Sequence, residues 1–134
     1  MALFYNVILI DDDPTVNFLN QLWITHANLA EHTIIFTDPE KAFEFIELNY
    51  LNKPSQNRSP DLLLLDINMA NMSGFELLDK LATFPQMNNK PFHVFLLTSS
   101  IARRDIEKAK HYPLSGYLEK PLSDKTIQQI IQVI

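Results

Sequence analysis

Three runs of four apolar residues, Val7 to Ile10, Leu62 to Leu65 and Val94 to Leu97, constrain the fold of this chain more than any other feature. Each is too short for a helix, and none alternates polar with apolar as a strand with one wet face would. They read as strands buried on both faces. Such strands need cover above and below, which helices flanking a mainly parallel sheet provide. A weaker run at Thr33 to Phe36 and the short Gly116-Tyr117-Leu118 supply two further candidates, making five.

Helical stripes fill the gaps between the strands. Val16, Leu19, Leu22 and Trp23 form the first, Ala42, Phe43 and Ile46 the second, and Leu77, Leu78 and Leu81 the third. Ile106 and Ala109 give a thin fourth, and Ile127, Ile130, Ile131 and Ile134 a clean fifth. The spacing is that of amphipathic helices. Side-chain caps stand where these should begin, at Asp13-Pro14, Asp38-Pro39, Ser73-Gly74 and Ser123-Asp124, twice with proline at the first helical position. The order is a βα unit repeated five times: an α/β fold with right-handed crossovers and helices on both faces. Asn49 to Pro60, polar and with two prolines, reads as an exposed loop. The 134 residues are expected to form one domain, with 46% hydrophobic and 20% charged side chains to build its core and surface.

What is missing narrows the chemistry. Without cysteine there is no disulfide framework, thiolate nucleophile or iron–sulfur site, which suits a reducing compartment. The longest apolar run is Met1 to Tyr5, against the roughly 18 residues of a membrane span, and no Lys or Arg precedes Asp11 to begin an export signal. A cytoplasmic location is expected. A net charge of −5 has the wrong sign for a sheath of phosphate contacts on nucleic acid. With only Gly74 and Gly116 in the chain, no glycine-rich nucleotide loop can be written.

In an open doubly wound sheet, ligands bind beyond the carboxyl ends of the strands. Here the first strand runs into Asp11-Asp12-Asp13, the third into Asp66, the fourth into Thr98-Ser99-Ser100, and the fifth into Glu119-Lys120-Pro121. Singly, each has an ordinary explanation: Asp13 as a helix cap, Asp66 as a turn former, Thr98 as a strand residue, Lys120 as a surface charge. Jointly they do not. One cap does not need three aspartates, and Asp11, Asp12 and Asp66 would repel one another unless a cation sat among them. Carboxylates without His or Cys offer hard oxygen ligands, which suit Mg²⁺, with Mn²⁺ as the alternative. A cation, an ammonium and a hydroxyl together suit a phosphoryl group, and one carboxylate could itself be the nucleophile. His26, His32, His93 and His111 are scattered without ligand spacing, and Arg103 and Arg104 read as a solvated helix face.

Asp11, Asp12, Asp66, Thr98, Lys120 and Pro121 match, in order and local context, the pattern of the receiver domains of two-component response regulators, which this chain resembles over essentially its whole length. The resemblance implies a flavodoxin-like, CheY-like sheet in the order 2-1-3-4-5. Asp66 would be the phosphoacceptor, Asp11, Asp12, Asp66 and the Asn68 carbonyl the Mg²⁺ ligands, and Thr98 and Lys120 the groups that bind the phosphoryl product. Thr98 and Tyr117 would form the switch, and a cis peptide would join Lys120 to Pro121. Three features depart from the family pattern: Ala70 stands where proline is common, Ser73 where aspartate often precedes the glycine, and Asn49 to Pro60 lengthens the approach to Asp66.

The implied activity is phosphoryl transfer to Asp66 from a sensor histidine kinase, a histidine phosphotransfer protein or a small acyl phosphate, followed by hydrolysis. The chain would then be a switch rather than a classical enzyme. With no effector domain attached, its output would be a downstream protein contact, a homodimer through the fourth helix, fifth strand and fifth helix, or onward transfer. The rival enzyme reading is a haloacid-dehalogenase-like phosphatase, which wants a second Asp where Asn68 stands. The rival binding readings are an FMN module, which the acid cluster disfavours, and a receiver-shaped scaffold that no longer accepts phosphate.

Overall fold

The computed structural model describes residues 2–52, 59–99 and 103–134. Five strands, β1 (Phe4–Ile10), β2 (Ala30–Phe36), β3 (Asp61–Asp66), β4 (Phe92–Thr98) and β5 (Gly116–Glu119), alternate with five helices, α1 (Pro14–His26), α2 (Pro39–Ile46), α3 (Gly74–Ala82), α4 (Arg103–Ala109) and α5 (Asp124–Val133). All neighbouring strands are parallel and lie in the order β2-β1-β3-β4-β5. The expected order 2-1-3-4-5 is therefore found. Among the described residues, no helix is long and apolar enough to cross a membrane.

The side-chain alternation of a strand explains why four-residue apolar runs suffice. Ile8, Ile10, Leu63, Leu65, Val94 and Leu96 point to one face, where α2, α3 and α4 cover them. Val7, Leu9, Leu62, Leu64, Phe95 and Leu97 point to the other, under α1 and α5. Leu62 to Leu65 are fully buried, each worth about 1.5–3 kcal/mol of burial free energy. The edge strand β2 is only partly covered.

The caps act as the sequence indicates. Asp13 Oδ1 accepts from the Thr15 and Val16 amides, Asp38 from Glu40, and Ser73 and Ser123 each close a capping box with the residue three positions on. Helix α1 ends where Asn28 takes a left-handed conformation (φ 48°) and the Leu29 amide bonds back to the Ile24 carbonyl.

Two expectations fail. The stripe Val16, Leu19, Leu22 and Trp23 is not the buried face of α1: Asn17, Asn20 and Ile24 are buried, while Phe18, Leu19 and Leu22 are exposed. The first turns of α1 lie over the polar carboxyl edge of the sheet, where side-chain amides find backbone partners; Ile24 is buried in the apolar core and Trp23 packs against it half-buried. Nor is Asn49 to Pro60 wholly loop, because Glu47–Leu51 continue α2 as a π-helical turn that buries Leu51. Residues 53–58 of that stretch, and Ser100, lie outside the described residues. A 3-10 turn, Pro85–Asn89, leads into β4.

Candidate functional site

The parallel sheet delivers the ends of β1, β3, β4 and β5 to one edge, and there the polar residues converge. Carboxylate oxygens of Asp11, Asp12 and Asp66 lie within 4.8 Å of one another, the one group of three potential metal-ligating side chains among the described residues. Asp11 is fully buried and Asp66 2% exposed. The Lys120 ammonium spans the two, 2.9 Å from Asp11 Oδ2 and 3.1 Å from Asp66 Oδ1. Asp12 is exposed and also accepts the Ala70 amide at 2.9 Å, so it pins the loop after β3. The Lys120–Pro121 peptide is cis.

Asp66 is poised unevenly. Its Oδ1 receives Lys120 and, at 3.4 Å, the Asn68 amide. Its Oδ2 is buried with no hydrogen-bond partner. Burial first, and then the charge of Asp11, raise its pKa to about 6 against the opposing pull of Lys120. For Lys120 burial works the other way, but its bonds to Asp11 and Asp66 outweigh it and hold the ammonium above the usual lysine value.

Residues outside the expected set hold this edge in place. Asn17 Nδ2 donates to the Asp11 carbonyl at 2.7 Å, and Asn20 Oδ1 accepts the Leu122 amide at 2.9 Å, tying α1 to the loops that carry Asp11 and Lys120. Their trace in the sequence is the spacing Asn17, Asn20, Ile24, a helical stripe of its own that runs beside the more apolar one. Gly74 is fixed by close approach: a Cβ there would meet the Asp66 carbonyl at 2.5 Å, and the Gly74 amide donates to Ile67 at 2.8 Å. The first residue of α3 is thus packed directly against the backbone of Asp66.

Thr98 is buried at the end of β4, its carbonyl accepting the Lys120 amide at 2.9 Å. Tyr117 on β5 is 38% exposed and, with Thr98, Ile67 and Ile106, lines a small crevice under α4. Asn68 follows Asp66 on the loop, with its side chain exposed.

These residues fit a hard divalent cation. Three carboxylates face one another, one presents a buried oxygen without a partner, and among the described residues no nitrogen or sulfur ligand joins them.

Comparison with known proteins agrees with this geometry. The family model described as response regulator receiver domain matches residues 7–132. The two-component response regulator ORR1 of Oryza sativa subsp. japonica is 27% identical, over 92% of this chain and 52% of that protein. The response regulator Rcp1 of Synechocystis is 26% identical, over 96% of this chain and 84% of that protein. The chain thus spans about half the length of the plant relative. A crystal structure of a two-component response regulator from Cytophaga hutchinsonii superposes with a TM-score of 0.82 at 33% identity, covering 97% of this chain and 96% of that one. The chain belongs to the response regulator receiver domain family of two-component signalling.

Proposed function

We propose that this receiver domain accepts a phosphoryl group on Asp66 and passes the event to the face formed by α4, β5 and α5. The observation that carries the reading is the buried, unpartnered Asp66 Oδ2 beside a carboxylate oxygen held by Lys120. One oxygen is anchored, and the other keeps a lone pair for attack on phosphorus. With a pKa near 6 the group is mainly ionised at neutral pH yet more basic than an ordinary aspartate.

Asp11, Asp12, Asp66 and the Asn68 carbonyl would hold Mg²⁺ or Mn²⁺. When bound, the cation would neutralise charge on the transferring oxygens. Lys120 would follow the phosphoryl oxygens as they replace the carboxylate charge, and the Thr98 hydroxyl would donate to one of them. The product replaces the single negative charge of Asp66 with about −1.5 to −2, at an edge where one ammonium faces three carboxylates. Movement of Thr98 toward that charge would open the crevice under α4 to Tyr117, coupling the site to the outer face of β5. A histidine kinase or phosphotransfer protein would be the donor, and a downstream protein or a second copy the reader of that face. We read residues 1–134 as one receiver unit working in the cytoplasm, as a switch rather than a classical enzyme. The phosphatase alternative draws no support from the family match, and Asn68 stands where it wants a second aspartate.

The test is intact-protein mass spectrometry after incubation with acetyl phosphate and Mg²⁺. One base-labile phosphoryl adduct is expected, absent in Asp66→Asn and after chelation with EDTA. An adduct that persists in Asp66→Asn would place the acceptor elsewhere, and no adduct from either small donors or a phosphorylated histidine protein would favour a scaffold.

A further inference from the structure

At the other end of the sheet, we propose, the domain has a second binding site, for a small apolar acid. A cavity of about 520 Å³ opens there between α3, the 3-10 turn, the start of β4 and the connection from α4 to β5. Small-molecule sites commonly hold about 300–1,000 Å³. Its walls include Leu78, Met87, Phe92, Val94, Tyr112 and Leu114. The core is not fully closed here: Leu78, Phe92 and Val94 keep 6%, 7% and 5% exposure, whereas Leu63, Leu65, Leu81 and Leu96 keep none. An apolar occupant would complete that cover, and the Met87 thioether can adapt to its shape.

Charge selects the class of occupant. The chain has sixteen acidic and eleven basic side chains, yet among the described residues no carboxylate lines this cavity. Its polar lining is Asn88, Lys90, His93 and Ser115, with His93 Nδ1 3.4 Å from Ser115 Oγ. Lys90 ends the 3-10 turn in a left-handed conformation (φ 51°). Among the described residues it has no ion-pair partner. Apolar walls with one uncommitted ammonium and no competing acid suit an alkyl or aryl carboxylate.

The cavity is distinct from the acid cluster. Phe92 lines it and Thr98 borders the cluster, about 20 Å apart along β4. An occupant would nonetheless touch Tyr112, whose hydroxyl donates to Asp79 Oδ1 at 2.9 Å and whose ring lies 5.3 Å from Phe75, tying the end of α4 to α3.

A titration of the full ¹⁵N-labelled chain with octanoate, octanol and octylammonium, without any phosphoryl donor, tests the site independently of Asp66 chemistry. Octanoate should give saturable shifts clustered on the Leu78, Val94, Leu114 and Ser115 amides and bind about two- to fivefold tighter than the other two, the worth of one exposed charge pair. Lys90→Asn, which tolerates the left-handed backbone, should bring octanoate down to the affinity of octanol. Ala82→Phe, at an exposed position on the cavity wall, should abolish saturation by all three. Scattered or unsaturable shifts, octylammonium binding as tightly as octanoate, or an unchanged affinity in Lys90→Asn would each overturn the proposal.

Discussion

Strand β3 begins and ends with an aspartate, and the two are almost equally buried: Asp61 at 1% exposure and Asp66 at 2%. Their surroundings differ in kind. Asp61 is provided with donors: the Asn6 amide on Oδ1 at 3.1 Å, and the Tyr50 hydroxyl on Oδ2 at 2.7 Å with Asn6 Nδ2 at 3.4 Å. Asp66 shares one lysine with Asp11 and keeps one oxygen without a partner. Burying a carboxylate is costly unless it is hydrogen-bonded. The chain meets that cost at Asp61, where the carboxylate joins β1, β3 and the π-helical turn. At Asp66 it leaves the cost standing: the same burial that disfavours the ionised form raises its basicity.

The largest expected effect follows from the unpartnered oxygen. Asp66→Asn should remove phosphoryl labelling entirely, a loss of at least about 100-fold in a phosphate-labelling assay, because no nucleophilic oxygen remains. The same variant should stay folded, since an amide is neutral and escapes the cost of charge burial. Asp61→Ala should do the reverse, losing about 3 kcal/mol in urea unfolding, as the Asn6 amide and the Tyr50 hydroxyl lose their acceptor. Labelling of the folded Asp61→Ala fraction should match that of the original protein. If Asp61→Ala also loses labelling at full folding, the two ends are not separate in function.

Much of this contrast was legible in the sequence, but not its sense. Both aspartates flank the run Leu62 to Leu65, and only the direction of the strand says which of them meets Asp11, Asp12 and Lys120. Parallel topology supplies that direction, because it gathers every strand's carboxyl end at one edge. The strands, the caps and the acid cluster could be read because each depends on residues adjacent in the chain or on a short period. The buried face of α1 could not. Phe18, Leu19 and Leu22 outweigh Asn17 and Asn20 on any hydropathy scale, and the bond from the Leu122 amide to Asn20 crosses 102 residues. The role of Asp61 was hidden likewise: Asn6 and Tyr50 lie 55 and 11 residues away and reach it only once β1 and the π-helical turn are in place. The unpartnered oxygen of Asp66, which carries the functional reading, is a property of packing and has no local signature.

The contrast can be sharpened with pH. In metal-free buffer, Asp66 has a folded pKa of about 6 against an unfolded value near 3.8, so the folded state binds the proton more tightly. Its contribution to stability is therefore fully present below 3.8 and is lost as pH rises through about 6. Over that window the original protein should lose on the order of 2 kcal/mol relative to Asp66→Asn, measured as the difference between their urea-unfolding free energies. At neutral pH, Mg²⁺ at about 100 times its dissociation constant should return about 2.7 kcal/mol to the original protein and much less to Asp66→Asn. Parallel pH profiles for the two proteins would show that Asp66 is not the strained group.

The smallest effect probes the satisfied end. Tyr50→Phe deletes one donor to Asp61 while keeping the ring, which lies 4.5 Å from Phe92 and 6.4 Å from Phe45. Packing is preserved, so the loss reports on the hydroxyl, which donates to Asp61 and accepts from Asn6 Nδ2 at 3.2 Å, and should be about 1–2 kcal/mol in urea unfolding. The Asn6 donors remain on the carboxylate, which is why the cost should fall well short of Asp61→Ala. Combined with Asp61→Ala, Tyr50→Phe should cost much less than it does alone, because the hydroxyl it removes has lost its acceptor and keeps only the Asn6 Nδ2 donor; a fully additive double mutant would mean that the hydroxyl stabilises the π-helical turn by another route. Phosphoryl labelling at Asp66 should be the same in all three, because a network that saturates one buried carboxylate at the amino end has no stake in the oxygen left free at the other.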